Sequence, residues 1–386
     1  MKQIKYIDIP QLYFKLMWFF ALFLYILIPL QSDLTGLAYK GIVAVTFGCL
    51  LLSLLASAIE DSESRLDSVA FIILFLMTTV IFVSLLQGNG EITFDNQIMG
   101  ILGFIEMPIA IILMNCVRYD EENFRFVFRI NILIALVFIV LSFSKYAYSG
   151  ILDSLYLGYS NPNATGIYLL LNQAILIMNL SALDKLIEKL LVMLLCLYEV
   201  YLIYLTNSRT CLLVSLVIML YYLLGKNFKV PKLIILATIL FPLAFLFIYT
   251  ALYKSGKYTD LVILGKEFYS GREKYYSEQL TLLSGKFAFG DVRLNYFQNM
   301  HNGSLAIIAS CGVIGYILYF IFYFRTISHY YKNANSKLQN IALIAVLGIF
   351  IHSCAEAALI VGGAHYSIIV ATFYWILKGK TNEYDS

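Results

Sequence analysis

Three side chains in the polar segments between apolar stretches are equipped for charge and proton chemistry: Arg209 in "TNSRT", Arg272 in "YSGREKYYSEQLTLL" and His301 in "NMHNGSLAII". A guanidinium is always charged, and its fork of donors matches phosphate oxygens in pairs. An imidazole titrates near about pH 6.5 and so gives or takes a proton close to neutrality. His301 is one of only four histidines. Blander readings compete: an arginine at a membrane boundary also snorkels to lipid headgroups, and an interfacial imidazole is tolerated there. His352 and Glu356 are four residues apart and so share one helix face, which equally suits a buried structural pair. Glu106 and Glu199 lie inside apolar runs, where a structural hydrogen bond is the simpler expectation. Asn161-Pro162-Asn163 is turn chemistry, with Asn163 or Thr165 as the cap of the following helix.

The elements that position these groups follow from composition. The chain of 386 residues is 61% hydrophobic and 13% charged, with a mean hydropathy of +0.80. Soluble domains are about 45–50% apolar and about 25% charged, so an all-α polytopic membrane protein is expected. Apolar runs near 20 residues exclude an outer-membrane barrel. A net charge of +3 without a basic tract argues against nucleic acid as a partner. The six cysteines lie mostly in apolar runs without a Cys-x-x-Cys, as small buried hydrophobes do. No outward Asp/Glu/His cluster suggests a metal.

Twelve candidate spans are expected, with eleven or thirteen as neighbouring counts: 12–30, 38–58, 69–86, 98–117, 126–144, 165–182, 188–205, 210–225, 231–250, 302–324, 339–360 and 364–378. With the N-terminus inside, 17 of the 27 lysines and arginines fall on the cytoplasmic side. Three lie on short outer segments and seven in the 251–301 loop. This asymmetry puts both termini in the cytoplasm and the "TNSRT" turn, the loop and His301 outside. The whole chain, 1–386, reads as one transmembrane domain with one large extracytoplasmic loop, 251–301. Within that loop, Tyr276, Leu280 and Leu283 recur at helical spacing, an amphipathic helix suited to the membrane surface. Gly312 and Gly315 are spaced for close helix packing.

Taken in order, the outer stretches resemble the O-antigen polymerase and ligase superfamily of bacterial inner-membrane glycosyltransferases. The resemblance rests on Asn161-Pro162-Asn163 with Gly166, Thr206-x-Ser208-Arg209, Ser270-Gly271-Arg272, and His301-Asn302 with Leu305, Gly312 and Gly315. It covers residues 158–316. The family's Gly-x-Gly before the His-Asn pair is reduced here to Gly290 of "FAFGD". Its aromatic two residues after the Asn is replaced by Ser304.

The resemblance implies a metal-independent transferase without a cofactor, using undecaprenyl-diphosphate-linked glycan as donor and acceptor. The leading expectation is a polymerase of repeat units into capsule or O-antigen type polysaccharide at the outer face of the cytoplasmic membrane. A chain-length regulator is a further expected partner. A ligase to a final acceptor is the nearest alternative, and a flippase or transporter of lipid-linked oligosaccharide the alternative of another class. Without a metal, arginines must neutralise the leaving diphosphate, which assigns Arg209 and Arg272 to a clamp. His301 is expected at the reaction centre, as a base for the acceptor hydroxyl or as a phosphate contact. Asn302, Asn163, Ser208, Tyr276 and Glu356 are expected to contact substrate, and Tyr269, Tyr275 and Tyr296 are further candidate sugar platforms.

Overall fold

The computed structural model describes residues 9–27, parts of 45–59, and residues 68–86, 99–148, 154–159, 161–224, 229–263, 266–283, 285–291, 301–332, 334–357 and 364–379. The described residues are 79% helical. In order, the helices are α1 (Ile9–Leu27), α2 (Ser68–Leu86), α3 (Met99–Cys116), α4 (Glu121–Ser142), α5 (Pro162–Ala182) and α6 (Leu186–Leu205). They continue with α7 (Arg209–Leu224), α8 (Lys232–Lys254), α9 (Arg272–Leu282), α10 (Gly303–Lys332), α11 (Lys337–His352) and α12 (Ala364–Lys378). Between α8 and α9 a two-stranded antiparallel hairpin pairs β1 (Val262–Ile263) with β2 (Lys266–Glu267), in the register Val262↔Glu267 and Ile263↔Lys266.

This is the all-α membrane architecture expected, but the helices do not support twelve spans. Among the described residues five helices are long and apolar enough to cross a bilayer: α2, α4, α5, α8 and α10. The apolar parts of α1, α3, α7, α11 and α12 are shorter. At about 1.5 Å per residue, a 16-residue helix such as α7 or α11 covers about 24 Å of a hydrocarbon core about 30 Å thick. α6 has the length but carries Glu188, Lys189 and Glu199. The expected span 38–58 lies largely outside the described residues.

α5 forms the middle of the bundle, and every residue from Thr165 to Leu180 is buried. It packs against α4, α6, α7 and α11, while α12 lies against α3 and α10 against α2 and α8. A helix enclosed on all sides must satisfy its polar side chains internally. Asn172 of α5 accordingly donates to Glu199 of α6 at 2.6 Å, both fully buried. The start of α5 is fixed by Asn161, whose side chain accepts from the Ala164 amide at 2.8 Å, with Pro162 in the first turn. Asn161 is therefore the cap, in place of the expected Asn163 or Thr165, and this frees the Asn163 amide. Thr165 donates instead to the Tyr156 carbonyl at 2.5 Å.

α10 is two helices joined at a break. Gly312 has φ +66° and ψ −173°, outside helical space, and the segment 287–291 is stitched into the gap. Val313 and Ile314 donate to the carbonyls of Phe287 and Ala288, and the Asp291 amide donates to the Ala309 carbonyl at 2.7 Å. These bonds satisfy backbone groups that any helix end leaves open. A Cβ on Gly312 would stand 2.1 Å from the Ala288 oxygen, and one on Gly290 2.5 Å from the Gly312 nitrogen. Gly312 thus serves the loop's close approach, where the sequence suggested helix–helix packing.

Candidate functional site

Glu356 is the node of the site. Its Oε1 accepts from Asn163 Nδ2 at 2.6 Å and from Arg272 Nη2 at 3.1 Å, and its Oε2 lies 3.1 Å from His301 Nδ1. Four separate segments supply these groups: the first turn of α5, the first residue of α9, the residue pair before α10, and the turn after α11. α11 ends at His352, and Glu356 follows in a turn that keeps the helical spacing, its amide donating to the His352 carbonyl at 3.2 Å. The two side chains form no hydrogen bond with each other, and His352 is fully buried with no partner for either ring nitrogen among the described residues.

The electrostatics of the node fix one proton. Burial would push the Glu356 carboxyl up, but the His301 hydrogen bond and the charges of His301 and Arg272 outweigh it and hold the group below its ordinary value. An ionised carboxylate only accepts. The His301 nitrogen facing it must then carry hydrogen, which leaves Nε2 with its lone pair whenever the ring is neutral. The side chains of Arg272, His301 and Glu356 are 20%, 27% and 14% exposed, shielded yet reachable from outside.

Arg209, at the head of α7, turns its guanidinium to the loop. Nη1 donates to the Lys266 carbonyl at 3.4 Å, and Nη2 to the Glu267 carbonyl at 3.2 Å and the Ser270 hydroxyl at 2.8 Å. Lys266 answers by donating from Nζ to the Asn207 carbonyl at 3.0 Å. Turn and hairpin are thereby locked face to face. Asn207, Ser270 and Gly271 all adopt positive φ to make the corners. Burial, and then the like charges of Arg209 and Arg272, push the Lys266 ammonium below its ordinary value, so the three cations bear on one another.

Three expected substrate contacts are committed elsewhere. Asn302 is fully buried: its Nδ2 donates to the carbonyls of Pro242 and Cys354 at 3.0 and 3.2 Å, and its Oδ1 accepts from the Leu305 amide at 3.0 Å. It caps α10 and ties it to α8 and the turn after α11. Tyr276 is also fully buried, its hydroxyl donating to the carbonyls of His301 and Cys354. Ser208 is 4% exposed, and its Cβ is the nearest neighbour a side chain on Gly166 would meet, at 3.0 Å. Its task is close packing of the turn on α5.

The expected loop helix exists as α9, but its apolar face turns inward. Tyr276 and Leu283 are 0% and 1% exposed, so they pack on protein and not on a membrane surface. Each such burial stabilises the docked loop by about 1.5–3 kcal/mol. Tyr269 is buried, with its hydroxyl donating to the Lys257 carbonyl and its own carbonyl accepting from Tyr249. Tyr296 lies outside the described residues.

The structure therefore gathers Asn163, Arg272, His301 and Glu356 into one network and sets Arg209 beside it. Lys266 belongs to the same place and carries no sequence signal, being one of seven basic residues in the loop. Protein-family models, curated proteins and solved structures all give no match to this chain.

Proposed function

We propose that this chain is a membrane-embedded glycosyltransferase that polymerises undecaprenyl-diphosphate-linked oligosaccharide repeats into surface polysaccharide. In this reading the site opens on the outer face of the cytoplasmic membrane with both termini inside, as the distribution of basic residues supports. The resemblance to the O-antigen polymerase and ligase superfamily is one support. The observation that carries the reading is the Glu356 node, which joins His301 to Arg272 beside Arg209 and Lys266.

The arrangement suits displacement at an anomeric carbon. An acceptor sugar hydroxyl forms the new glycosidic bond as the bond to the carrier diphosphate breaks. The hydroxyl proton passes to Nε2 of His301, and Glu356 stabilises the imidazolium that results. The electron pair leaves on the diphosphate, whose growing charge Arg272 neutralises with the donors not used on Glu356. Arg209 contributes charge while holding the loop in place. Asn163 supports Glu356 and does not touch the sugar.

The test is turnover of a defined lipid-linked repeat by the purified protein, with products resolved by length. Wild type is expected to build a ladder on the carrier lipid, and Arg272→Ala and His301→Ala to stop at single repeats. A wild-type preparation that moves finished chains to a final acceptor without elongating them makes the protein a ligase. Repeats trapped on the cytoplasmic leaflet after deletion in cells would make it a flippase.

A further inference from the structure

We infer that Lys266 makes the site selective for a diphosphate over a monophosphate, an inference that rests on the transferase reading above. Arg209, Lys266 and Arg272 converge at the junction of the "TNSRT" turn, the hairpin and the start of α9. The carboxylate among them that makes an ion pair is Glu356, and that pair is with Arg272 and His301. Arg209 and Lys266 form no salt bridge among the described residues; their donors go to backbone carbonyls and one hydroxyl. The charges that act on Lys266 are those of Arg209, Arg272 and Glu356, so around it three cations stand against one carboxylate when His301 is neutral; Glu267 and Glu273 adjoin in the chain but form no ion pair with the three among the described residues.

Shielded cations of like sign held together lower one another's stability unless an anion joins them. A sugar–diphosphate–lipid diester carries two negative charges at neutral pH, and a monophosphate diester carries one. The excess charge of the cluster thus matches the first. Removing any one cation leaves a net charge of one; Lys266 is singled out because Arg272 is paired with Glu356 and Arg209 is committed to three acceptors in the loop. Its ammonium sits on a hairpin corner whose geometry Arg209 holds through the Lys266 carbonyl.

Calorimetric titration of the full chain in phosphatidylcholine nanodiscs tests this with two diesters, geranyl methyl diphosphate and geranyl methyl phosphate, which carry two negative charges and one. Wild type should prefer the diphosphate by at least about tenfold, the factor that corresponds to one modest charge interaction. Lys266→Gln keeps a donor for the Asn207 carbonyl and should lose most of that preference. Lys266→Arg should retain it. Equal selectivity in wild type and Lys266→Gln overturns the inference, as does loss of selectivity in Lys266→Arg. Replacing phosphatidylcholine partly with phosphatidylglycerol separates the sources of phosphate. Displacement of the diphosphate by that lipid assigns the cluster to headgroups and overturns the inference. Turnover of the lipid-linked repeat, run on the same preparation, keeps the two claims apart. Active protein without diphosphate selectivity sinks the lysine inference alone, whereas absence of both binding and turnover sinks the transferase reading with it.

Discussion

Nδ1 of His301 stands 3.1 Å from Oε2 of Glu356, two residues 55 apart in the chain. A carboxylate behind an imidazole orients the ring and stabilises its protonated form. Glu356→Gln keeps the shape but removes the charge, so kcat should fall by about 100-fold or more. The rising acid limb of the pH–rate profile should move to lower pH in the variant, because the imidazolium loses the carboxylate that stabilises it and gives up its proton more readily. An unchanged profile would show that His301 works without Glu356.

The same node makes stability depend on acid. The Glu356 carboxyl is held below its ordinary value of 4.5, so the folded state binds that proton less readily than the unfolded chain. Its contribution is present above the ordinary carboxylate range and is lost as pH falls through the lower folded value. The thermal midpoint of wild type should drop below about pH 4.5 more steeply than that of Glu356→Gln. Parallel curves would mean the node adds no stability.

Asn302 predicts a separation of stability from chemistry. Asn302→Ala removes a helix cap and leaves two buried carbonyls short of a donor, a loss of about 2–4 kcal/mol. Arg272→Ala, by contrast, should abolish turnover with a much smaller fall in melting temperature. Thermal unfolding of both variants in the same detergent checks the order.

Arg209 needs its fork as well as its charge. Arg209→Lys keeps the cation but cannot reach the Lys266 and Glu267 carbonyls and the Ser270 hydroxyl together. Limited proteolysis should cut the 255–285 segment several-fold faster in the variant. Equal cutting rates would show that the hairpin docks without this residue.

Glu199 tests the interior. Gln at this position preserves an acceptor for Asn172 in a fully buried setting, and it should be tolerated within about 1 kcal/mol. Glu199→Ala leaves the Asn172 amide orphaned and should cost about 1–3 kcal/mol, read from the loss of folded protein on heating.

Much of this was legible in residue order. Apolar runs between charged segments mark most of the helices, because each run must be buried in lipid or protein. Arg209 and His301 are visible because each stands at the edge of an apolar run, and Arg272 because it follows Ser270-Gly271 at the start of a helical pattern in the loop. Lys266 is hidden, since a lysine on a short hairpin in a charged loop has no periodicity to stand out from. Asn302 misleads for a physical reason: an amide beside a histidine looks free in sequence, yet it has three backbone partners that only the packing of α8, α10 and the turn after α11 brings together. Gly312 misleads in the same way, because spacing cannot tell a glycine that admits a neighbouring helix from one that admits a loop.

The loop's two attachments have a mechanical consequence. At one end the hairpin is riveted to Asn207 and Arg209, and at the other residues 287–291 are woven into the gap at Gly312. A segment fastened at both ends is an arch and not a flap. Arg272, which that arch carries, is held at a fixed spacing from Glu356 and Arg209 by bonds at both feet; under the proposed function, a lipid-linked chain would have to enter beneath it from the side.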